Sequence, residues 1–547
     1  MRRVLSASAL LAVVFACSSP DTEVPVLPAS LYAERQLALE ARYTPPRWPA
    51  CIYASPLADG GSVLVAGGDG SFSAIDPHTG AKIWSIVLPA PEGERAFIVA
   101  TPVVVGRRAV VAYHTIAASS AELHVATTHI RHRVAVVDLD AHVLDASRPP
   151  IDLSATSGNV VFTPSHALGR GALVESGGRV YVTFGNVRDV QPYHGWIFEV
   201  TLDPWRISAA MPTTADTDCG SEGGDGSQDM RCGGGLWAPS GPLVEDDGKL
   251  VVPTGNGQLD LAHHDYANTL MRLGPGLTFD PACDASACAS FSADTLDAAC
   301  TNTCRDIFVP RLLDGETSLC SDKNAYRCWA ARDFIDGGST PVPVTTSTGR
   351  RILVYPTKDG HLWLVDEAHL GTVYAHDKIA DTCGTATDEC VWGWAGTVVT
   401  KPVVTRAGKD PVVIVPTFMP DATHAAGVVA VKIVDDGKGV HAASFWQFPP
   451  PDHAAARTRF RRHPSRGRLF TFDSRELVAV VDAAPPHGRG HVYVLQSADG
   501  KIAGEADLSS AGFRFAQPLV LDDTLIVNSC DSDSGEGSIE AWTLRGP

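Results

Sequence analysis

The sequence predicts an all-β fold, an eight-bladed β-propeller. A short strand starting near Pro, a turn and an apolar strand recur eight times along the chain. No long stretch has helical periodicity. Gly and Pro are plentiful, at 50 and 38 of 547 residues, as a fold with frequent tight turns requires.

In chain order the repeats begin "SPLADGGSVLVAGGDG" at Ser55, "TPVVVGRRAVVAYH" at Thr101 and "GALVESGGRVYVTFGN" at Gly171. They continue with "SGPLVEDDGKLVVPTGNG" at Ser240, "TPVPVTTSTGRRILVYPTKDG" at Thr340 and "KPVVTRAGKDPVVIVPTF" at Lys401. The last two are "RLFTFDSRELVAVVDA" at Arg468 and "QPLVLDDTLIVNS" at Gln517. Third strands such as "HRVAVVDLD", "GHLWLVD" and "GHVYVLQSADGK" follow, rich in β-branched and aromatic residues and bounded by Gly and Asp. A unit of three or four short strands cannot bury both its faces alone. Eight units around an axis can.

The N-terminus, "MRRVLSASALLAVVFACSS", places two arginines before a short apolar run that stops at small residues, the pattern of a secretory signal peptide over 1–16. The run is too short to span a bilayer. Its end, "VFAC", looks like a bacterial lipobox, which makes Cys17 the expected lipidated first residue; Phe15 is unusual there, and cleavage without lipid stays open. Residues 17–45 then read as a Pro/Ser-rich tether and 46–547 as the propeller, with a disulfide-rich insertion at about 275–335. The expected location is the bacterial cell envelope, lipid-anchored at the outer membrane on its periplasmic or surface side, or secreted if no lipid is added. A formal charge of −18 excludes nucleic acid as a partner, since phosphate neutralisation needs clustered Lys and Arg. Contact with a membrane is expected only through the lipid.

Of 13 cysteines, twelve remain beside Cys17, an even number in an exported chain. Local spacing suggests Cys219–Cys232, Cys320–Cys328 and Cys383–Cys390 as staples. Cys283, Cys288, Cys300 and Cys304 are expected to form two bridges, as neighbours or nested, rather than a zinc site. Cys51 and Cys530 are left to join the chain ends.

"GGDGSFSAIDPHTGAKIW" (residues 67–84) resembles the pyrroloquinoline quinone (PQQ) repeat: a Gly-Asp-Gly hairpin, Ala and Asp on the next strand, Thr-Gly at the following turn and a closing Trp. "TKDGHLWLVD" and "SADGKI" repeat parts of it. The resemblance covers nearly the whole mature chain and implies the eight-bladed quinoprotein dehydrogenase type. It implies a PQQ floor at Trp237 in "GGLWAPSGP", a Ca²⁺ amide ligand at Asn256 in "TGNG", and a catalytic and metal-binding Asp336, with Asp333 beside it, in "DFIDGGSTPV". Lys358 in "TKDG" falls where the family puts a cation on the quinone, and Asp189 stands near the place of a Glu ligand. Hard oxygens suit Ca²⁺, and a carboxylate beside a substrate hydroxyl can take its proton.

Each of these residues also has a plain structural reading. A Trp packs between blades, Asn between glycines makes a turn, Asp336 shapes a loop, and Lys358 sits in a hairpin. There is no adjacent Cys pair and no C-x-x-C-H, so no haem is expected. Two functions follow: a binding or scaffold propeller using one face for a protein or small-molecule partner, or a PQQ- and Ca-dependent dehydrogenase of alcohols or sugars. "DSDSGEG" (531–537) reads as a solvated acidic hairpin and "RFRRHPSRGR" (459–468) as a solvated basic loop. His129, His132, His263 and His264 lack partners at a ligand spacing, and strand-edge or loop roles are expected for them.

Overall fold

The computed structural model describes residues 27–120, 128–186, 192, 194–219, 232–289, 291, 298–311, 338–380, 401–418, 423–424, 426–450, 460, 464–483, 488–513, 515–531 and 534–546. Eight antiparallel sheets stand as blades in a ring, each running outward from a central axis. Blade 1 sets the pattern with Leu57–Asp59, Ser62–Ala66, Ser71–Ile75 and Lys82–Val87. Its two middle strands are almost wholly buried, because neighbouring blades cover both faces. That is why these strands read as continuous apolar runs and not as alternation.

Blades 3 to 7 repeat the four strands, with innermost strands Val174–Ser176, Leu243–Val244, Val342–Thr345, Val403–Ala407 and Arg468–Phe472. Blade 2 is wider: Glu94–Phe97 pairs beside Val103–Val105 on Arg108–Ala117. Between blades, Phe72 and Ala74 pack with Val111 and Ala135 in one cluster. Trp84 bridges the same interface, 5.7 Å from Phe72 and stacked 5.2 Å from His142 of blade 2.

The turns follow from short polar side chains. At the end of the third strand of blade 1, Asp76 accepts the His78 and Thr79 N–H groups at 2.7 and 3.0 Å, and Gly80 takes φ +71°. Those hydrogen bonds hold the Asp76 carboxyl below the usual range. Asp138 and Asp366 repeat the device in blades 2 and 5.

The ring closes in a way the tether reading did not anticipate. Ala38–Ala41 is the outer strand of blade 8, pairing Ala38 with Arg545 and Ala41 with Trp542. The tether therefore ends before residue 38, and the propeller begins earlier than 46. The reason is the nine-residue strand Gly537–Arg545, nearly all buried, whose outer edge would otherwise be open. Arg42 and Arg545 pin the join through Asp523 (2.8 Å) and Glu40 (2.6 Å). Cys51 and Cys530 are bridged across 479 residues, and Asn528 donates to the Ile52 carbonyl at 2.6 Å beside them.

Near the axis, hydrogen bonds pass from blade to blade. The Gln517 N–H donates to Ser55 Oγ and the Ser55 N–H to Thr101 Oγ1, both at 2.9 Å. Leu173 N–H donates to Thr101 O (2.9 Å), Ala172 N–H to Pro239 O (3.0 Å) and Thr340 Oγ1 to Gly241 O (2.6 Å).

The bridges Cys283–Cys304 and Cys288–Cys300 are nested, between the third and outer strands of blade 4 (Leu270–Leu273 and Ile307–Phe308). Cys219–Cys232 is bridged in the link from blade 3 to blade 4. Cys17, Cys320, Cys328, Cys383 and Cys390 lie outside the described residues. Among the described residues, no helix is long and apolar enough to cross a membrane.

In an antiparallel blade, second-to-third-strand turns and blade-to-blade links emerge on one face, called here the connector face. The insertion of blade 4 emerges on the opposite face. Removing residues 27–41 is expected to expose the Gly537–Arg545 edge, lowering the melting temperature and driving self-association. Calorimetry and size-exclusion chromatography against the chain starting at 27 check this; unchanged melting would mean that Ala38–Ala41 closes nothing.

Candidate functional site

Trp237, Asn256 and Lys358 all lie on the connector face, in the blade 3–4 link and in the second turns of blades 4 and 5. The Trp237 indole rests on backbone. A Cβ added to Gly185, Gly235 or Gly255 would come within 2.6, 2.6 or 2.8 Å of its ring atoms. Gly255 N–H donates to Gly235 O at 2.7 Å and Gly234 N–H to Asn256 O at 2.8 Å, which holds the glycine-rich segments side by side. The glycines of "GGGLW" and "TGNG" thus serve close approach to an aromatic ring. Asn256, 1% exposed, follows Gly255 directly, so the structure brings Trp237 and Asn256 together.

The Arg170 guanidinium stands over this ring, 5.3 Å from its centroid, and 4.2 Å from that of Phe515, and it donates to the Trp237 carbonyl at 3.2 Å. The Cys219–Cys232 staple sits just ahead, where Gly233 bridges both Gly257 and His194. His194 Nδ1 faces the Thr214 carbonyl and hydroxyl at 3.1 and 2.9 Å. Burial lowers its pKa to about 4. Buried Asp265 orders the same link by accepting the Ala215 and Asp216 N–H groups at 2.7 and 3.1 Å.

Lys358 is 7% exposed, next to Asp359, whose carboxylate accepts the Thr357 hydroxyl at 2.5 Å and the His361 N–H at 3.1 Å. Asp189, Asp333 and Asp336 lie outside the described residues. Of the three expected Ca²⁺ donors, only Asn256 is therefore among them. Ca²⁺ takes six to eight oxygens, as a rule. Among the described residues no group of three or more His, Cys, Asp or Glu gathers carboxylates around Asn256. The described residues do not by themselves build the metal site.

Two expectations are corrected. His129 lies in a loop and His132 at the start of a strand, but they do not lack partners: with His114 they form a buried cluster in which one ring nitrogen of each lies within 4.8 Å of the others. His114 and His132 are cross-strand partners in blade 2, a register that linear spacing cannot display. The basic run at 459–468 is not a solvated loop at its end, because Arg466 and Arg468 line a cavity near the axis. His263 does sit on an exposed loop, 2.7 Å from Asp260.

Residues 42–161 match the family model described as outer membrane protein assembly factor BamB. The quinohemoprotein alcohol dehydrogenase of Pseudomonas putida HK5 superposes with a TM-score of 0.54 at 12% identity, covering 93% of this chain and 76% of that one. The chain is an eight-bladed β-propeller, with a PQQ-type repeat matched over residues 42–161. BamB from Moraxella catarrhalis superposes on this propeller with a TM-score of 0.47 at 13% identity, over 92% and 100% of the two chains. No curated protein matches the chain in sequence.

Burial, with His129 adding to it, lowers the His132 pKa to about 3. Unfolded, the group titrates near pH 6.5, so on acidification the unfolded state takes the proton first. The stability tied to neutral His132 is present above that pH and is lost as pH falls towards 3, at up to about 1.4 kcal/mol per unit. Urea melts at pH 7, 6 and 5 should show this slope, and His132→Phe should flatten it.

Proposed function

We propose that this propeller is an exported binding or scaffold protein of the cell envelope, anchored through lipid on Cys17. It uses its connector face to hold a protein or small-molecule partner. The observation that carries this reading is the Trp237 ring, already in contact with three backbone glycines and with the Arg170 guanidinium at 5.3 Å. A quinone stacking on that ring would have to compete with Arg170. The match of residues 42–161 to an outer-membrane assembly factor supports the envelope setting.

The adjacency of Trp237 and Asn256 supports a second reading, a PQQ- and Ca²⁺-dependent dehydrogenase of alcohols or sugars. In it Trp237 and Lys358 face the quinone, Asn256, Asp189 and Asp336 hold the metal, and Asp336 takes the substrate proton. Without a C-x-x-C-H sequence it would need a separate electron acceptor.

Purified protein mixed with PQQ and Ca²⁺ is expected to emerge from gel filtration without quinone absorbance and to reduce no dye with alcohols. Retained absorbance that disappears in Trp237→Ala would replace the scaffold reading with the enzyme. For the anchor, Cys17→Ser is expected to shift the protein from the membrane fraction to the soluble one. Unchanged membrane partitioning would sink the lipid assignment.

A further inference from the structure

Among the described residues, the cations at the axis have no counter-charge. A cavity of about 420 Å³ lies there, lined by residues at or just before the starts of the innermost strands of blades 1, 2, 3, 4, 7 and 8. Arg466 and Arg468 line it, and the Nε of each is buried without a hydrogen-bond acceptor. Ser240, on the blade 4 side, presents a buried Oγ that is likewise unpartnered. Neither arginine, nor Lys401 near them, has an ion pair with any described carboxylate. Desolvation and then Arg466 lower the Lys401 pKa to about 8, while desolvation and then Arg468 lower that of Arg466 to about 10.

Arg466, Arg468 and Lys401 are half-buried, with the Nε of each arginine out of water, and an arrangement of like charges partly withdrawn from solvent is unfavourable in an isolated protein. Buried charges are normally paired, since removing an ion from water costs several kcal/mol even after relaxation, at about that order. Water in the cavity can meet hydrogen-bonding needs but supplies no opposite charge. The chain as a whole carries −18, so this cluster opposes the general field. Guanidinium groups match the two oxygens of a carboxylate in geometry as well as charge. Leu57, Pro102, Leu173 and Leu519 give the wall apolar stretches beside Ser55, Thr101 and Gln517, a mixed lining that suits an organic body better than a bare inorganic anion.

We propose that the axial cavity is a binding site for a small organic polycarboxylate, held by Arg466 and Arg468, with Ser240 donating to it and Lys401 adding positive potential. The site is distinct from the Trp237 ring and does not depend on the scaffold reading. Arg170, in contact with both Trp237 and Phe515, lies between the two places.

Titration calorimetry of the full chain with citrate in low-salt buffer tests this. The expected result is saturable binding whose dissociation constant rises at least tenfold in Arg466→Gln and in Arg468→Gln, and is unchanged in Trp237→Ala. The free Arg466→Gln protein is expected to melt no lower than the parent, because it loses a half-buried charge that has no counter-charge among the described residues. No saturable citrate binding, or binding indifferent to both arginine variants, overturns the proposal. Equal affinity for inorganic phosphate or sulfate overturns its organic part. Where PQQ is retained, against the scaffold reading, this carboxylate-bearing ligand serves as the second arm. Binding of PQQ abolished by Trp237→Ala, while citrate binding survives, marks two sites. Loss of both in Trp237→Ala overturns the assignment of the axial cavity as separate.

Discussion

The structure depends on the strand Ala38–Ala41 lying against Gly537–Arg545. A propeller blade has two apolar faces, and each needs a neighbour. In an open ring, blades 1 and 8 would each leave one face in water. Here that interface is filled by Trp48, Ile52, Val63 and Val65 from the start of the chain, packed with Ile526, Ile539 and Ala541 from its end. At about 25 cal/mol per Å² of buried apolar surface, losing such a cluster would outweigh any single hydrogen bond. The Cys51–Cys530 bridge and the Arg42 and Arg545 ion pairs hold the same seam from three directions. Closure is thus a shared product of the first and last described strands.

Closure then dictates where chemistry can gather. With the ring fixed, every blade-to-blade link and every second turn emerges on one face, and every innermost strand starts beside one axis. Links can vary in length without disturbing a blade, which is why the Cys219–Cys232 staple, the Trp237 cradle and the His114 cluster all occur on that side. The opposite face carries mainly short Asx turns and the nested bridges of blade 4.

The blades were legible in the sequence because their signals are local. β-Branched runs bounded by Gly and Asp mark strands, and the Asp76-to-Gly80 turn is spelled out residue by residue. What stayed hidden depends on contacts between distant segments. Residues 38–41, "ALEA", have little strand propensity, and only the waiting edge 500 residues later makes them a strand. Trp237 and Asn256 could be named from the repeat, but the three glycines under the indole come from separate segments and read in sequence as turns. The His114–His132 pairing needs a sheet register. Arg466 looked solvated because a run of arginines in a linear sequence carries no sign of an axis.

The two ways this fold treats an arginine withdrawn from the surface, wholly or in part, sharpen that last point. Arg272 is buried in blade 4 and paired, with Glu245 at 2.8 Å and Asp306 at 3.1 Å, so its charge is met inside the protein. Arg466 and Arg468 have no such partners among the described residues, although carboxylates outnumber cations in the chain by 62 to 44. A sequence this rich in Asp and Glu did not lack the means to pair them. Local departures from otherwise consistent design concentrate where a protein meets something else. The contrast between a paired arginine in the wall and unpaired ones at the axis therefore separates structural charge from charge held ready for a ligand.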